Sequence, residues 1–484
     1  MNQLRQFSRV HMVGIGGVGM SAIASVLLER GYRVSGSDLS ENAATRRLAQ
    51  AGAVIHKGHD GSHVDGAQLV VTSAAVQPDN PERRAAEAVG VPIWPRARAL
   101  AEIMREGRSI AVSGTHGKTT ITAMLGLMLA QAGLDPTVVI GGSLTPFGGN
   151  ARCGQGRWVV AEADESDASF LEMDPDVILI SNVEAEHLDF YADAQSVERA
   201  FLEFIGRLRP GGRLVLCADD PLLARLAREG GPESVTYALD DPLAHMYCEG
   251  LETVDGGRGT RFTPVWRGRA LAPVVLAVPG HHNVVNALGA LACALAIEVD
   301  ERPLLEGLQA YEGAGRRFEL KGVSNGVTIV DDYAHHPTEI SVTLEAARAQ
   351  VAAGRAQRLV AAFQPHRFTR TQAMAGSFAR ALRAAELVVV TDVYGAGESP
   401  IEGVSGRLVI DELAKLAHDD AHYMPTLDQT RSYLAQRLEP GDLLLTMGAG
   451  NIWQVGEALL DGLQVHAADV ERTEPLAGAP GGKD

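Results

Sequence analysis

Lysine is the scarcest charged residue in this chain of 484. Five lysines stand at positions 57, 118, 321, 415 and 483, against 38 arginines. Such a bias reads as a GC-rich genome, and it makes Lys118 one of very few. Cysteine is also scarce: Cys153, Cys217, Cys248 and Cys293 show no C-x-x-C spacing. That excludes a disulfide framework or a structural zinc site and fits a reducing compartment. Long apolar runs are missing, since the longest, over residues 287–299, is too short to span a bilayer and reads as a buried helix. The opening MNQLRQFSRVHMVGIGG carries no apolar leader. A cytoplasmic protein with no membrane insertion is expected. Positive charge is in deficit as well. A net charge of −17 argues against nucleic acid as a partner, so any anionic ligand must be met by local donors.

Apolar runs alternate with helical patterns. HMVGIG, YRVSGSD, QLVVTSAAV and VPIWPR read as strands, with a helix over Val18–Glu29. A second series opens at SIAVSG, continues through a helix over 119–132, and adds strands at WVVAEAD, DVILISNV and RLVLCADD. A mixed segment over 235–279 precedes a helix over 283–298. VTIVDDYA, RLVAAFQP, LVVVTDVY and DLLLTMGAG form a third series. This rhythm predicts parallel sheets covered by helices. It implies three α/β domains, over 1–108, 109–316 and 317–465, followed by a Pro/Gly-rich mobile tail over 466–484.

Gly14-Ile15-Gly16-Gly17-Val18-Gly19 lies between a strand and a helix. Its glycines let the backbone approach a diphosphate seated on the helix N-terminus, and Asp38 is placed to meet a ribose or base. The pattern identifies a nucleoside diphosphate without saying which one, and NAD stays open. Ser113-Gly114-Thr115-His116-Gly117-Lys118-Thr119-Thr120 resembles the phosphate loop G-x-x-x-x-G-K-[ST], but Val112 stands where the first glycine belongs. N–H groups from 114 to 119 would cradle phosphate oxygens, Lys118 would bridge them and the Thr119 hydroxyl would reach Mg²⁺. Glu162-Ala163-Asp164-Glu165-Ser166-Asp167 and Asn182-Val183-Glu184-Ala185-Glu186-His187 close the next two strands, where ligands sit in open α/β sheets.

Taken in order, GIGGVG, GTHGKTT, EADES, NVEAEH, HHNVVNALGA, GRRFE, DDYAHHPTE and FQPHRFTRT resemble the Mur ligases, ATP-dependent amide-forming enzymes of peptidoglycan synthesis. The likeness spans about residues 9 to 455, and the short phosphate loop is that family's own version. It implies a Rossmann-like UDP-binding domain, a P-loop ATPase-like central domain and a Rossmann-like C-terminal domain. It replaces NAD with a UDP-sugar on Gly14, Gly16, Gly17 and Gly19, with Asp38, Ser73, Glu165 and Ser166 on the substrate side. ATP would occupy Gly114, Thr115, His116, Gly117, Lys118, Thr119 and Thr120, with Asn283 and Asn286 beside adenine and Arg317 and Asp332 reaching it from the third domain. Two Mg²⁺ ions are implied, held by Thr119, Glu162 and His187, and Lys118, Glu162 and His187 form the catalytic set. Tyr333, His335, His366, Arg367 and Arg370 would line the amino-acid pocket, where an α-carboxylate calls for a cationic fork. The sequence departs from other members in three places, one being that YGHHPTE becomes YAHHPTE at 333–339. No lysine stands between 119 and 320, so the carbamylated lysine of several relatives is chemically excluded, and YPAGE becomes Tyr394-Gly395-Ala396-Gly397-Glu398.

The resemblance implies UDP-N-acetylmuramate and L-alanine as substrates, joined through an acyl phosphate. Because an acyl phosphate hydrolyses readily, a closing third domain is expected. Three alternatives compete: a ligase attaching a recycled tripeptide to the same sugar, a nucleotide-dependent switch, and a dehydrogenase built on GIGGVG alone.

Overall fold

The apolar runs fold into three sheets. The computed structural model describes residues 3–187, 190–229 and 234–472, with side chains to 462 in the last helix. It divides into two units, one ending at Gly315 and the next starting at Arg316.

The first sheet of the first unit holds β1 (Arg9–Val13), β2 (Arg33–Asp38), β3 (Val54–Lys57), β4 (Leu69–Thr72) and β5 (Ile93–Pro95), all parallel, in the order β3-β2-β1-β4-β5. The direction of winding reverses between β1 and β4. That reversal opens a crevice at the carboxyl ends, where Gly14 to Gly19 sit. The expected helix over Val18–Glu29 forms with those bounds. HMVGIG is only partly strand, because Gly14 turns the chain with φ of +78°.

One carboxylate anchors this sheet from below the crevice. Glu82, in the first turn of the helix Pro81–Val89, is fully buried. It accepts from Ser37 Oγ at 2.6 Å, His63 Nδ1 at 2.6 Å and His59 Nδ1 at 3.1 Å, and His11 Nε2 stands 3.6 Å away. His56 stacks on His63, with ring centroids 4.1 Å apart. Burial alone would raise the Glu82 pKa, but His11, Ser37 and His63 outweigh it and hold the group at about 2. No short motif announces this cluster.

The second sheet contains β6 (Arg108–Ser113), β7 (Thr137–Leu144), β8 (Gly149–Arg152), β9 (Trp158–Glu162), β10 (Val177–Ile180), β11 (Arg213–Cys217), β12 (Ser234–Tyr237), β13 (Met246–Val254), β14 (Gly259–Trp266), β15 (Arg269–Ala270) and β16 (Val274–Leu276). Its order is β15-β14-β13-β12-β11-β10-β6-β9-β7-β8, with β16 on β14. β6, β9 and β10 lie side by side in its middle, so the phosphate-loop strand is flanked by the two strands that end in acids. The mixed segment over 235–279 is an antiparallel extension. Its alternation is broken by a bulge between Glu249 and Glu252, which obscures the period-two signal. The helix after it begins at His281, so Asn283 lies in its first turn but Asn286 in its second.

The second unit carries β17 (Glu319–Ser324), β18 (Val327–Asp332), β19 (Arg358–Phe363), β20 (Leu387–Val390), β21 (Ala421–Tyr423) and β22 (Asp442–Met447), in the order β17-β18-β22-β19-β20-β21. Only the β17 edge is antiparallel. The expected tail over 466–484 starts too early. The helix Trp453–Arg472 runs through residue 466, because no proline interrupts it before Pro475. The rest of that tail lies outside the described residues.

Since Glu82 has a depressed pKa, its contribution is present above about pH 4.5 and lost as pH falls through about 2. Glu82→Gln should therefore cost about 3 kcal/mol at pH 7. Urea unfolding should show the gap from the parent narrowing below pH 4.5. A gap independent of pH would contradict the ionised, histidine-held carboxylate.

Candidate active site

β6 delivers Ser113 into a loop that the neighbouring strand end grips. Thr115 N–H donates to Asn182 O at 3.0 Å and His116 N–H to Asn182 Oδ1 at 2.8 Å, while Asn182 Nδ2 donates to His116 O at 3.2 Å. Both loop glycines are sterically required. A Cβ on Gly114 (φ +126°) would lie 2.2 Å from Ser181 Oγ, and one on Gly117 (φ +86°) 2.5 Å from Asn286 Oδ1. Asn286 therefore packs against the loop itself. Asn283 donates through Nδ2 to Pro279 O at 2.7 Å. The helix Lys118–Gln131 starts directly after Gly117, so its N-terminal N–H groups face the loop, as anion binding needs. Thr120 is buried in its first turn.

Lys118 Nζ folds back on that loop. It donates to Gly114 O at 2.6 Å, Thr115 O at 3.1 Å and Glu165 Oε1 at 2.8 Å. Burial would lower its pKa, but Glu165, Asp164 and Glu186 overcome this and keep it charged. Glu165 is 2% exposed. Burial pushes its carboxyl up to about 7, against the pull of Lys118. Thr119 Oγ1 donates to Glu162 Oε2 at 3.2 Å, and Glu162 also accepts from Gly141 N–H. A hydroxyl and a carboxylate so close are hard oxygen donors that suit Mg²⁺. His187 Nε2 lies 3.7 Å from Glu165 Oε1 and 3.9 Å from Glu186 Oε2, on a backbone held at φ of +57°. His116 Nε2 lies 3.4 Å from Glu184 Oε2. Ser166 N–H donates to Asp164 Oδ1 at 3.1 Å, shaping the turn between them.

At the glycine-rich turn, Asp38 Oδ2 accepts from Gly16 N–H at 2.9 Å and Asn42 Nδ2 donates to Gly16 O at 3.2 Å. Asp38 thus acts first on the turn's own backbone. Gly17 caps the helix with extended backbone. Ser73 stands over Gly14, its Cβ 3.2 Å from where a Gly14 Cβ would be. A Cβ on Gly19 would lie 2.2 Å from Arg96 Nη1, and Arg96 Nη2 pairs with Asp164 Oδ2 at 3.1 Å.

In the second unit, Tyr333, His335 and His366 form a chain of rings with centroids 5.3 and 5.5 Å apart, and Tyr394 stacks on His366 at 5.9 Å. Arg370 Nη1 approaches His366 Nδ1 at 3.4 Å. Burial, then His335, Arg370 and Arg367, push the His366 pKa down to about 3, so the ring is neutral and can accept. Arg367, with φ of +68°, precedes the helix Phe368–Leu382. Arg317 lies over the Tyr333 ring at 5.3 Å and 3.7 Å from Glu339 Oε1. Asp332 is buried, accepts from Phe318 N–H and Ala334 N–H at 2.7 Å each, and is pushed up to about 6 by burial.

Sequence profiles for the Mur ligase family catalytic domain, the Mur ligase middle domain and the Mur ligase glutamate ligase domain match residues 9–108, 112–294 and 316–450. The chain belongs to the Mur ligase family. It is 46% identical over 455 residues to the UDP-N-acetylmuramate–L-alanine ligase of Syntrophotalea carbinolica, covering 94% of this chain and 98% of that one. The enzyme of the same name from Syntrophus aciditrophicus is 45% identical, with 95% and 94% covered. Among solved structures, the UDP-N-acetylmuramate–alanine ligase of Thermotoga maritima superimposes with a TM-score of 0.81 at 30% identity, over 95% and 99% of the two chains. A murein peptide ligase from Psychrobacter arcticus gives 0.72 at 25% identity, over 94% and 98%.

Three residues beside these clusters were not singled out from the sequence. Arg96, in VPIWPRARAL, finds Asp164 68 residues later. Tyr191 donates its hydroxyl to Glu165 O at 2.6 Å while its N–H donates to His187 O at 2.8 Å. Arg316, next to the expected Arg317, donates through Nε to Asp331 Oδ2 at 2.9 Å and lies 5.0 Å from the Tyr333 ring. Only Arg316 had a usable signal, as the first arginine of GRRFE.

Gly117→Ala tests the loop. Left-handed backbone costs a non-glycine residue about 1–3 kcal/mol, and Asn286 blocks the new methyl. Affinity for an ATP analogue, measured by calorimetry, should fall about 10-fold or more. Unchanged affinity would show that the loop tolerates a side chain there.

Proposed function

We propose that this enzyme joins L-alanine to the lactyl carboxylate of UDP-N-acetylmuramate, converting ATP to ADP and phosphate, in peptidoglycan precursor synthesis. The observation that carries the reading is 46% identity over 94% of the chain to an L-alanine ligase, with the family's phosphate loop and acids brought together in space. The glycine turn at 14–19 with Asp38 and Ser73 takes the UDP-sugar, and Arg96 adds a cation beside that helix N-terminus. Glu165 and Ser166 stand on the substrate side. Loop N–H groups and Lys118 hold ATP phosphates, and Asn283 and Asn286 support the adenine side. Arg317 and Asp332, in the second unit, are assigned to ATP by the family resemblance.

The carboxylate oxygen of the sugar attacks the γ-phosphorus and ADP leaves, so a poor acyl donor gains a good leaving group. The free amine of L-alanine then attacks the acyl carbon, phosphate departs, and the amine proton is released. Thr119 and Glu162 would hold Mg²⁺, with His187 placed to hold a second ion, and the metal would supply neutralisation of phosphate charge. The chain supplies positioning and fixed donors. Arg367 and Arg370 hold the α-carboxylate in a pocket lined by Tyr333, His335 and His366. With His366 neutral, that attraction rests on the arginines.

No helix among the described residues is long and apolar enough to cross a membrane. The four cysteines are unpaired, which supports a cytoplasmic location.

Phosphate release with ATP, Mg²⁺ and UDP-N-acetylmuramate, with mass detection of product, decides the amine donor. Release that depends on L-alanine, with a product heavier by one alanyl residue, is expected. The likeness to a murein peptide ligase makes the tripeptide the second donor to add. Release with tripeptide alone would move the enzyme to that branch, and silence with both would remove the ligase reading.

A further inference from the structure

Glu82 is a fully buried carboxylate whose ion-pair partners, among the described residues, are all imidazoles. An arginine or lysine would give it a fixed countercharge. An imidazole gives one only by taking up a proton near neutral pH. The titratable groups facing the cluster are His11 from β1, His56 from β3, and His59, Asp60 and His63 from the turn after β3. Ser35 and Ser37 of β2 complete it. Burial, then His63 and His11, hold the His56 pKa below the usual imidazole value, so that ring favours its neutral form.

His11 has a nitrogen to spare. The residue is fully buried, and its Nδ1 bonds Ser35 Oγ at 2.9 Å. Its Nε2 faces Glu82 Oε1 at 3.6 Å and has no hydrogen-bond partner. With Nδ1–H donating to the serine, a proton added to the Nε2 lone pair turns an isolated buried charge into a buried ion pair.

One residue ties the cluster to the glycine turn. Ser37 donates through Oγ to Glu82 Oε2 at 2.6 Å, and its carbonyl accepts from Gly14 N–H at 2.8 Å and Ile15 N–H at 3.0 Å. A diphosphate on that turn brings negative charge close to the buried carboxylate. An imidazolium beside Glu82 relieves the repulsion. Building on the reading that this turn takes a UDP-sugar, we propose that the Glu82 cluster is a proton-linked positioning device for that ligand, taking up a proton at His11 Nε2 as the diphosphate binds. The proton comes from solvent, and no bond of the sugar nucleotide changes. Ligand and proton strengthen each other's binding by the same factor, as linkage requires. Affinity for the UDP-sugar therefore rises as pH falls through the imidazole range.

Calorimetry of UDP-N-acetylmuramate binding to the full chain at pH 7, in two buffers of different ionisation heat, counts the protons. The ligand's diphosphate and carboxylate are already ionised there, so a proton taken up belongs to the protein. The parent should take up part of one proton. Its affinity should tighten by up to about 10-fold from pH 8 to pH 6, the factor carried by one unit of proton affinity. His11→Gln, which cannot titrate, should lose both the uptake and the slope. Glu82→Gln should do the same, since no carboxylate is left to hold an imidazolium. Retained binding of an ATP analogue in each variant separates loss of the device from loss of the fold.

Binding without proton uptake in the parent, or affinity that is flat or weaker toward pH 6, overturns the inference without recourse to any variant. Uptake that survives in a folded His11→Gln overturns the assignment to His11. Each of these results leaves the UDP-sugar reading standing. Failure of UDP-N-acetylmuramate to bind, both alone and with the ATP analogue and Mg²⁺ present, sinks that reading and this inference with it.

Discussion

The bond between Lys118 and Glu165 is the point on which the first unit's chemistry turns. A buried ammonium and a buried carboxylate tolerate burial only together, and removing either strands the other. Their meeting needs the phosphate loop at the end of β6 and the acidic turn at the end of β9, adjacent strands of one sheet. Parallel packing of these strands explains why residues 47 apart in sequence touch at 2.8 Å. The loop's shape is imposed from the other flank, where Ser181 and Asn182 leave no room for a side chain on Gly114.

Charge is handled the same way elsewhere in the first unit. Asp164 lies between Lys118 and Arg96, and these cations, against the effect of burial, hold its pKa at about 2. Glu82 sits among histidines and a serine beneath the glycine turn. An acidic chain with few lysines thus places its cations and imidazoles where a carboxylate must stay ionised. The second unit inverts the arrangement: Arg316 is consumed by Asp331 and two backbone carbonyls, while Arg370 borders a neutral His366.

The sequence made legible what short-range spacing encodes. SGTHGKTT carries its glycines and lysine in one octapeptide, and the strand before it and helix after it confirm the setting. EADES and NVEAEH were readable because both close apolar runs. Solitary residues were not readable. Arg96, Glu82 and Tyr191 acquire meaning only from partners tens of residues away, and nothing local distinguishes them from surface charge or core aromatic. The antiparallel extension from β13 to β16 was missed because a bulge breaks its alternation. The strand runs read after β6 ended two to four residues late, because they took in the polar or glycine-bearing turns that follow the last ladder bond, such as TDVY after Val390.

The shortage of lysine has a practical side. Lys57 and Lys118 are the first unit's two side-chain amines; the former is exposed and the latter has every N–H engaged. Acylating reagents attack free amines, so within this unit's side chains they meet one open target and one guarded one. The extent of labelling at Lys118, normalised to Lys57, becomes an internal gauge of how firmly the phosphate loop is closed on its own lysine.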